Sequence, residues 1–375
     1  MSAMNGDASP IRGRGRLIGS CVAVALALTG LVLAPAAANA TENPTATTYL
    51  SLGDSISFGY QQEKFNVNYP NESPSYFEGG VANSFAKYLG GKEEVGKGLV
   101  IVNSACPGET SNGLIGENPA IGGKESTEPR PSKNEGSYHA CDYHQLSGLP
   151  LHNSLAGTSQ LEDTLSILKE GAPAHPVKAI TLNIGSNDEL AAIAKCEKEV
   201  TEEFTNEGKS KYGATPEGAV QQCIGFTAIN VTFPHILKNI GDILGVIDSK
   251  EPGGGHYTGP IILMGFYNPD AILLPGSDAL QNGFNNAIEE KILPNFPNVT
   301  FANPFPTFNK GSKLSQEQVS ICKYTEMCNP NVQTGPGKNP ESPAFGKDGD
   351  IHPSNVGYAT LGKLVNEAYL ANPAK

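Results

Sequence analysis

Four short stretches hold the residues with which this chain could do chemistry. Gly53-Asp54-Ser55 ends an apolar run, TTYLSL, and carries a hydroxyl at its tip; Gly108 lies in NSACPGETS, Asn187 and Asp188 in LNIGSNDEL, and His352 in DGDIHPSNVGY, directly before Pro353. A serine hydroxyl is a weak nucleophile, so Ser55 needs a base and a set of donors for the oxyanion that forms when it attacks a carbonyl. Histidine suits the first task near neutral pH. A glycine N–H that no side chain shields and an asparagine amide suit the second. Each residue also has a plainer reading. Gly-Asp-Ser makes turns, Gly108 serves one after Pro107, Asn187 opens a helix, and His352 is a surface histidine. Asp54 is expected to orient the turn rather than react, and Asp188 to cap a helix beginning at Glu189.

The elements that would position these residues decide between the readings. Five short apolar runs recur: TTYLSL, GLVIVNS, KAITLNI, PIILMGF and NVTFANP. Continuous apolarity is what a strand buried on both faces requires. Helical patterns lie between them, over 84–89, 160–170, 189–200, around Phe233, Ile236, Leu237, Ile240, Ile243, Leu244 and Ile247, over 279–293, and after Pro353 through Leu361, Leu364, Val365 and Ala368. Alternating strands and helices predict a parallel sheet with helices on both faces, and such sheets bind ligands at the carboxyl ends of their strands. All four stretches follow strands or, for His352, precede the last helix, where Pro353 holds His352 at a loop–helix junction. Their coincidence there outweighs the separate plain readings.

These segments resemble the four blocks of the SGNH, or GDSL, hydrolases: GDSISFGY the first, NSACPGETS the second, GSND the third and DGDIHPS the last. The resemblance spans Gly53 to His352. It implies a single-domain α/β/α sandwich around a five-stranded, flavodoxin-like parallel sheet. It also implies Ser55 as nucleophile, His352 as base, and the Ser55 N–H, Gly108 N–H and Asn187 Nδ2 as the oxyanion hole. The family's last block reads D-x-x-H, whereas Gly349 stands three before His352, with Asp350 two before and Asp348 four before. Asp350, Asp348 or a backbone carbonyl therefore remains open as the group that orients His352, with Asp350 preferred. The resemblance implies a serine esterase or lipase acting on a small-molecule or lipid ester, with an acetylated polysaccharide as an alternative substrate. A catalytically silent binding module of the same fold is the alternative from another class.

The remaining features bound the setting. Arg12, Arg14 and Arg16 precede the run VAVALALTGLVLAPAA, which ends in small residues at Ala38-Asn39-Ala40; this predicts a signal peptide over 1–40, a hydrolase domain over 41–375, and secretion without a membrane span. Cys21 stands before that run, which argues against a lipid anchor. A net charge of -12 without a basic run gives no footprint for nucleic acid, and a monomer is expected. The cysteines beyond residue 40 are even in number, which in an exported chain predicts disulfides. Sequential pairing is expected: Cys106–Cys141, Cys196–Cys223 and Cys322–Cys328. No cofactor is expected. His175 precedes a strand and falls at the wrong sheet edge, the two Gly-Gly-Lys runs lack the rest of a phosphate loop, and Asp348 and Asp350 lack the remaining ligands of a calcium loop. His139, His144 and His152 are read as solvated rather than as metal ligands. Tyr60, Phe65, Tyr69, Tyr76 and Phe77 are expected to form a loop core rather than to wall an acyl pocket.

Overall fold

In the computed structural model the five apolar runs form β1 (Thr47–Gly53), β2 (Leu99–Asn103), β3 (Val177–Asn183), β4 (Ile261–Met264) and β5 (Val299–Ala302). The structure describes residues 46–68, 71–90, 98–116, 149–153, 159–170, 176–272, 274, 276–311, 314–329, 332 and 349–375. All five strands pair in parallel in the order β2-β1-β3-β4-β5. The apolar runs of β1, β3 and β4 are continuous because both faces are covered, while β2, at the sheet edge, leaves Val100 exposed. Leu50, Leu52, Ile180, Leu182, Ile261 and Leu263 pack into one core, while Tyr49, Ala179, Ile262 and Met264 pack into another. Each fully buried Leu or Ile contributes about 1.5–3 kcal/mol of apolar transfer free energy.

The described helices are α1 (Ser55–Phe58), α2 (Gln62–Asn68), α3 (Val81–Leu89), α4 (Ser111–Ile115), α5 (Gln160–Glu170), α6 (Ser186–Glu207), α7 (Pro216–Thr227), α8 (Phe233–Asp248), α9 (Ser277–Lys291), α10 (Phe305–Phe308), α11 (Leu314–Tyr324) and α12 (Asn355–Ala371). α5, α8 and α9 cover the first face through Leu161, Leu165, Ile240, Leu244 and Phe284. α3 and α12 cover the second through Phe85, Tyr358, Leu361 and Val365. The result is the expected α/β/α sandwich. Because β1 lies between β2 and β3, the chain leaves it toward one side and later returns on the other. That reversal opens a crevice at the carboxyl ends of β1 and β3.

Two expectations need correction, and one helix comes in addition. The α6 helix begins at Ser186, not Glu189, after Gly185 at its N-cap, so Asp188 sits in the first turn rather than at the cap; its carboxylate accepts from the N–H of Ser111, the first residue of α4, at 2.8 Å and from Ser111 Oγ at 2.7 Å. Pro353 does not open the last helix. It ends a short strand, β7 (Asp350–Pro353), paired antiparallel with β6 (Thr325–Glu326), and Ser354 caps α12 by accepting from Gly357 N. The α7 helix was also not expected, although Thr215 before Pro216 is a start signal: its hydroxyl accepts from Gly218 N.

Cys196–Cys223 and Cys322–Cys328 are bonded, with Cα–Cα distances of 5.7 and 5.1 Å. The first joins two consecutive helices, α6 and α7, and so closes the connection between them. Cys106 is disulfide-bonded as well; Cys141, its expected partner, lies outside the described residues. The Cys196–Cys223 bond spans 27 residues, and cross-links of that size stabilise by about 2–4 kcal/mol. The intact protein should therefore be lighter than the reduced one by two hydrogens per bond, and reductant should lower its thermal midpoint. An unchanged midpoint after complete reduction would show that the bonds do not stabilise the fold.

Candidate active site

The turn that carries Ser55, the candidate nucleophile, begins at Gly53, whose φ is +136°. A Cβ at this position would lie 2.0 Å from the carbonyl oxygen of Asn183 on β3, so glycine alone fits. The next amide, Asp54 N, donates to that same oxygen at 3.1 Å. Asp54 is fully buried and caps α1 by accepting from Ile56 N at 3.0 Å. This is the orienting role expected of it, and it makes Ser55 the first residue of the helix. Burial pushes the Asp54 carboxyl up to about 7, against the lowering effects of the Ile56 N–H and the charge of nearby His352.

The structure brings His352 onto Ser55. Its Nε2 lies 2.8 Å from Ser55 Oγ, while its Nδ1 bonds to Asp350 Oδ1. Among Asp350, Asp348 and a carbonyl, the described contact is with Asp350; Asp348 lies outside the described residues. The same Oδ1 accepts from His352 N at 3.1 Å, and Oδ2 accepts from Gln62 N at 2.8 Å. Burial alone would raise the Asp350 carboxyl, but the His352 charge and these donated bonds outweigh it and hold the group below the usual carboxylate range. With Nδ1 donating to a carboxylate, Nε2 is left to accept the serine proton. Gly349 cannot be the aspartate of a D-x-x-H block here: its φ is +106° and a Cβ would lie 2.1 Å from Met327 O.

Gln61, Tyr267 and Tyr358, which the sequence reading missed, fix the histidine segment, two of them to the segment after Ser55 and Tyr267 to the end of β4. Tyr358 Oη donates to Tyr60 O at 2.7 Å, Gln61 Nε2 to Pro353 O at 2.9 Å, and Tyr267 Oη to Ile351 O at 2.7 Å. The Tyr60 ring packs 4.8 Å from that of His352. Tyr60, Phe65 and Phe77 form a buried cluster with Phe58, Ala105 and Leu149, which is the loop-core reading. Tyr76 is exposed, and Tyr69 lies outside the described residues.

On the oxyanion side, Gly108 takes a φ of +83° in the turn between β2 and α4. Cys106 N donates to Gly53 O at 3.0 Å, which holds this loop beside the nucleophile turn. Asn187, in the first turn of α6, donates from Nδ2 to Glu109 O at 2.8 Å. That amide carries a second hydrogen. His152 is part-buried rather than solvated. Its Nε2 lies 2.9 Å from Phe58 O and donates to that carbonyl, and burial lowers its pKa against the raising effect of this bond. His139, His144, His175 and the second Gly-Gly-Lys run lie outside the described residues, as does most of the first. Among the described residues no group of three His, Cys, Asp or Glu is placed to hold a metal ion. No described helix is long and apolar enough to cross a membrane.

Comparison with solved structures finds distant likenesses. A carbohydrate esterase family 2 enzyme with a carbohydrate binding domain from Corynascus thermopiles (Myceliophthora fergusii) is 12% identical at a TM-score of 0.40, over 87% of this chain and 66% of that one. A protein described as a GDSL-like lipase from Parabacteroides merdae is 14% identical at a TM-score of 0.39, over 88% of this chain and 98% of that one. A protein described as a platelet activating factor from Streptococcus pneumonia is 15% identical at a TM-score of 0.35, over 86% of this chain and 83% of that one. No curated protein matches. The sequence profile of the GDSL-like Lipase/Acylhydrolase family matches residues 49–365, a span that contains Ser55, Gly108, Asn187, Asp350 and His352, and the chain belongs to that family.

Proposed function

We propose that the protein is a secreted serine esterase that hydrolyses carboxylic esters through an acyl-enzyme. The observation that carries this reading is the relay of Ser55 Oγ, His352 Nε2, His352 Nδ1 and the buried Asp350 carboxylate. Ser55 Oγ attacks the ester carbonyl as its proton passes to Nε2. The imidazolium returns that proton to the departing alcohol, leaving the acyl group on Ser55; a water then gives a proton to Nε2 as it attacks the acyl carbonyl, and collapse of that intermediate breaks the bond to Ser55 Oγ, which takes the proton back from Nε2 as the acid leaves. The N–H groups of Ser55 and Gly108 and the second amide hydrogen of Asn187 take the negative charge of each tetrahedral intermediate. No step needs a metal or a cofactor. The disulfides support export, since such bonds persist in oxidising compartments.

A lipid or short-chain ester is the substrate class proposed, with an acetylated polysaccharide as the competing one. An acyl-chain series of p-nitrophenyl esters assayed beside acetylated xylan separates them, and a fluorophosphonate probe that fails to label Ser55 would overturn the enzyme reading in favour of a binding module. Replacing Asn187 by Ala should lower kcat by roughly 10²–10³, the usual loss for one oxyanion donor. A change confined to KM would instead make Asn187 a substrate-binding residue.

A further inference from the structure

Gln160, the first residue of α5, is fully buried, yet its side chain points away from the apolar core and onto the nucleophile turn. Its Oε1 accepts from Gly53 N at 2.8 Å and its Nε2 donates to Gly53 O, also at 2.8 Å. One side-chain amide thus pairs with both polar groups of a single backbone residue. Nε2 makes a further bond, at 3.1 Å, to Glu109 Oε2. Glu109 is itself buried, follows Gly108, and accepts the Asn187 amide on its carbonyl oxygen. Gly53 leads into Asp54 and Ser55. A single side chain therefore touches the segment that carries the proposed nucleophile and the segment on which both other proposed oxyanion donors depend.

The helix that carries Gln160 is itself held in place. Ser159, directly before it, donates from Oγ to Ile115 O at 3.1 Å and accepts from Glu162 N at 3.2 Å. One turn on, Asp163 Oδ2 accepts from Ser104 Oγ at 2.8 Å, at the end of β2. Thr164 Oγ1 closes on Gln160 O at 2.8 Å. The start of α5 is thereby tied to α4 and to the end of β2, apart from Gln160's own bonds to Gly53 at the end of β1.

We propose that Gln160 is a positioning residue that sets the distance between Ser55 and the oxyanion donors Gly108 and Asn187. It does not touch substrate; it acts through Gly53 and Glu109. This inference rests on the esterase reading above. A misplacement of about 1 Å between reacting groups costs about 10² in rate, and a glutamine that accepts and donates at once has no isosteric replacement. Gln160→Glu keeps the acceptor for Gly53 N but sets a carboxylate against Gly53 O and the Glu109 carboxylate. Gln160→Met keeps the volume and removes both functions.

The test measures kcat and KM on a p-nitrophenyl ester, and the rate of fluorophosphonate labelling at Ser55, for the full-length wild type, Gln160→Glu, Gln160→Met and Ser55→Ala, with folding checked by circular dichroism. In folded Gln160 variants kcat and the labelling rate should fall by about 10² while KM stays within about threefold. Near wild-type kcat in either folded variant, or a loss lying wholly in KM, overturns the proposal and leaves Gln160 as a structural residue. Should neither variant fold, Glu109→Ala decides, because it cuts the arm to the oxyanion loop and leaves the Gly53 pair intact. A tenfold or larger loss of kcat there supports the proposal, and an unchanged kcat overturns it. An inactive, unlabelled wild type would instead overturn the esterase reading, so the two failures are told apart.

Discussion

Replacing Ser55 by Ala should abolish ester hydrolysis, a loss of about 10⁶ in kcat when the nucleophile of a serine triad is removed, and should leave the fold almost as stable as before. The two halves of that expectation have separate causes. Ser55 Oγ is the atom that His352 Nε2 faces at 2.8 Å, so its removal leaves the base with nothing to deprotonate but water. Its structural contribution is one hydrogen bond at a part-buried position, and such bonds are worth about 0.5–1.5 kcal/mol net. The turn itself does not depend on the hydroxyl. Gly53 is placed by Gln160, Asp54 N by Asn183 O, and the start of α1 by the Asp54 carboxylate. Kinetics on p-nitrophenyl esters beside a thermal melt checks both halves. Turnover near wild type would remove Ser55 from the mechanism, and a melt lowered by many degrees would make the hydroxyl a structural element.

The strands were legible in the sequence because burial on both faces makes their runs mostly apolar, with only small polar residues such as Ser51 and Thr181 buried among them; Leu50 and Tyr49 go to opposite cores and are both apolar. Three of the candidate site residues, Ser55, Gly108 and Asn187, could be placed from the sequence because they follow β1, β2 and β3, whereas Asp350 and His352 lie on β7, outside that sheet. The residues that hold the site together were not legible. Gln160 opens an ordinary amphipathic helix, and nothing local says that its amide reaches a backbone 107 residues away in sequence. Gln62 contributes to the site through its main-chain N–H, which any residue but proline has. The unexpected role of Asp188 has a similar origin. Its acceptor function was foreseen, but its partner, Ser111, belongs to another loop.

The position of the acid shows how backbone geometry replaces a spacing rule. Side chains two residues apart on an extended strand point to the same face, and Asp350 and His352 both lie on β7. The segment pairs with Thr325 and Glu326 at its two ends, through Pro353 and Asp350, with a register shift between them; an aspartate two residues before the histidine meets Nδ1, and the position three before must be the glycine that turns the chain past Met327 O.

Asp350→Asn should therefore lower kcat by about 10⁴, the loss seen when a triad carboxylate is amidated. Asp350 uses both oxygens as acceptors, Oδ1 toward His352 Nδ1 and His352 N, and Oδ2 toward Gln62 N. An asparagine has one oxygen and one NH₂ for these two sides. With the NH₂ toward Gln62, two donors face each other and the loop must shift. With the NH₂ toward His352, Nδ1 has to become the acceptor, which moves the ring proton to Nε2 and leaves no lone pair for the Ser55 proton. Stability should change with the same substitution in a pH-dependent way. A carboxyl held below its usual range stabilises the fold above the unfolded-state pKa of about 4, and that contribution is lost as pH falls through the folded value. The variant should thus be less stable than wild type at neutral pH, with the gap closing toward acid. Asp348→Asn, measured in parallel, should cost less than about tenfold in kcat, small beside the loss from an amidated triad acid. Small losses in both variants would make a backbone carbonyl the support of His352, and a large loss at Asp348 alone would show that the contact with Asp350 is not the one that matters in catalysis.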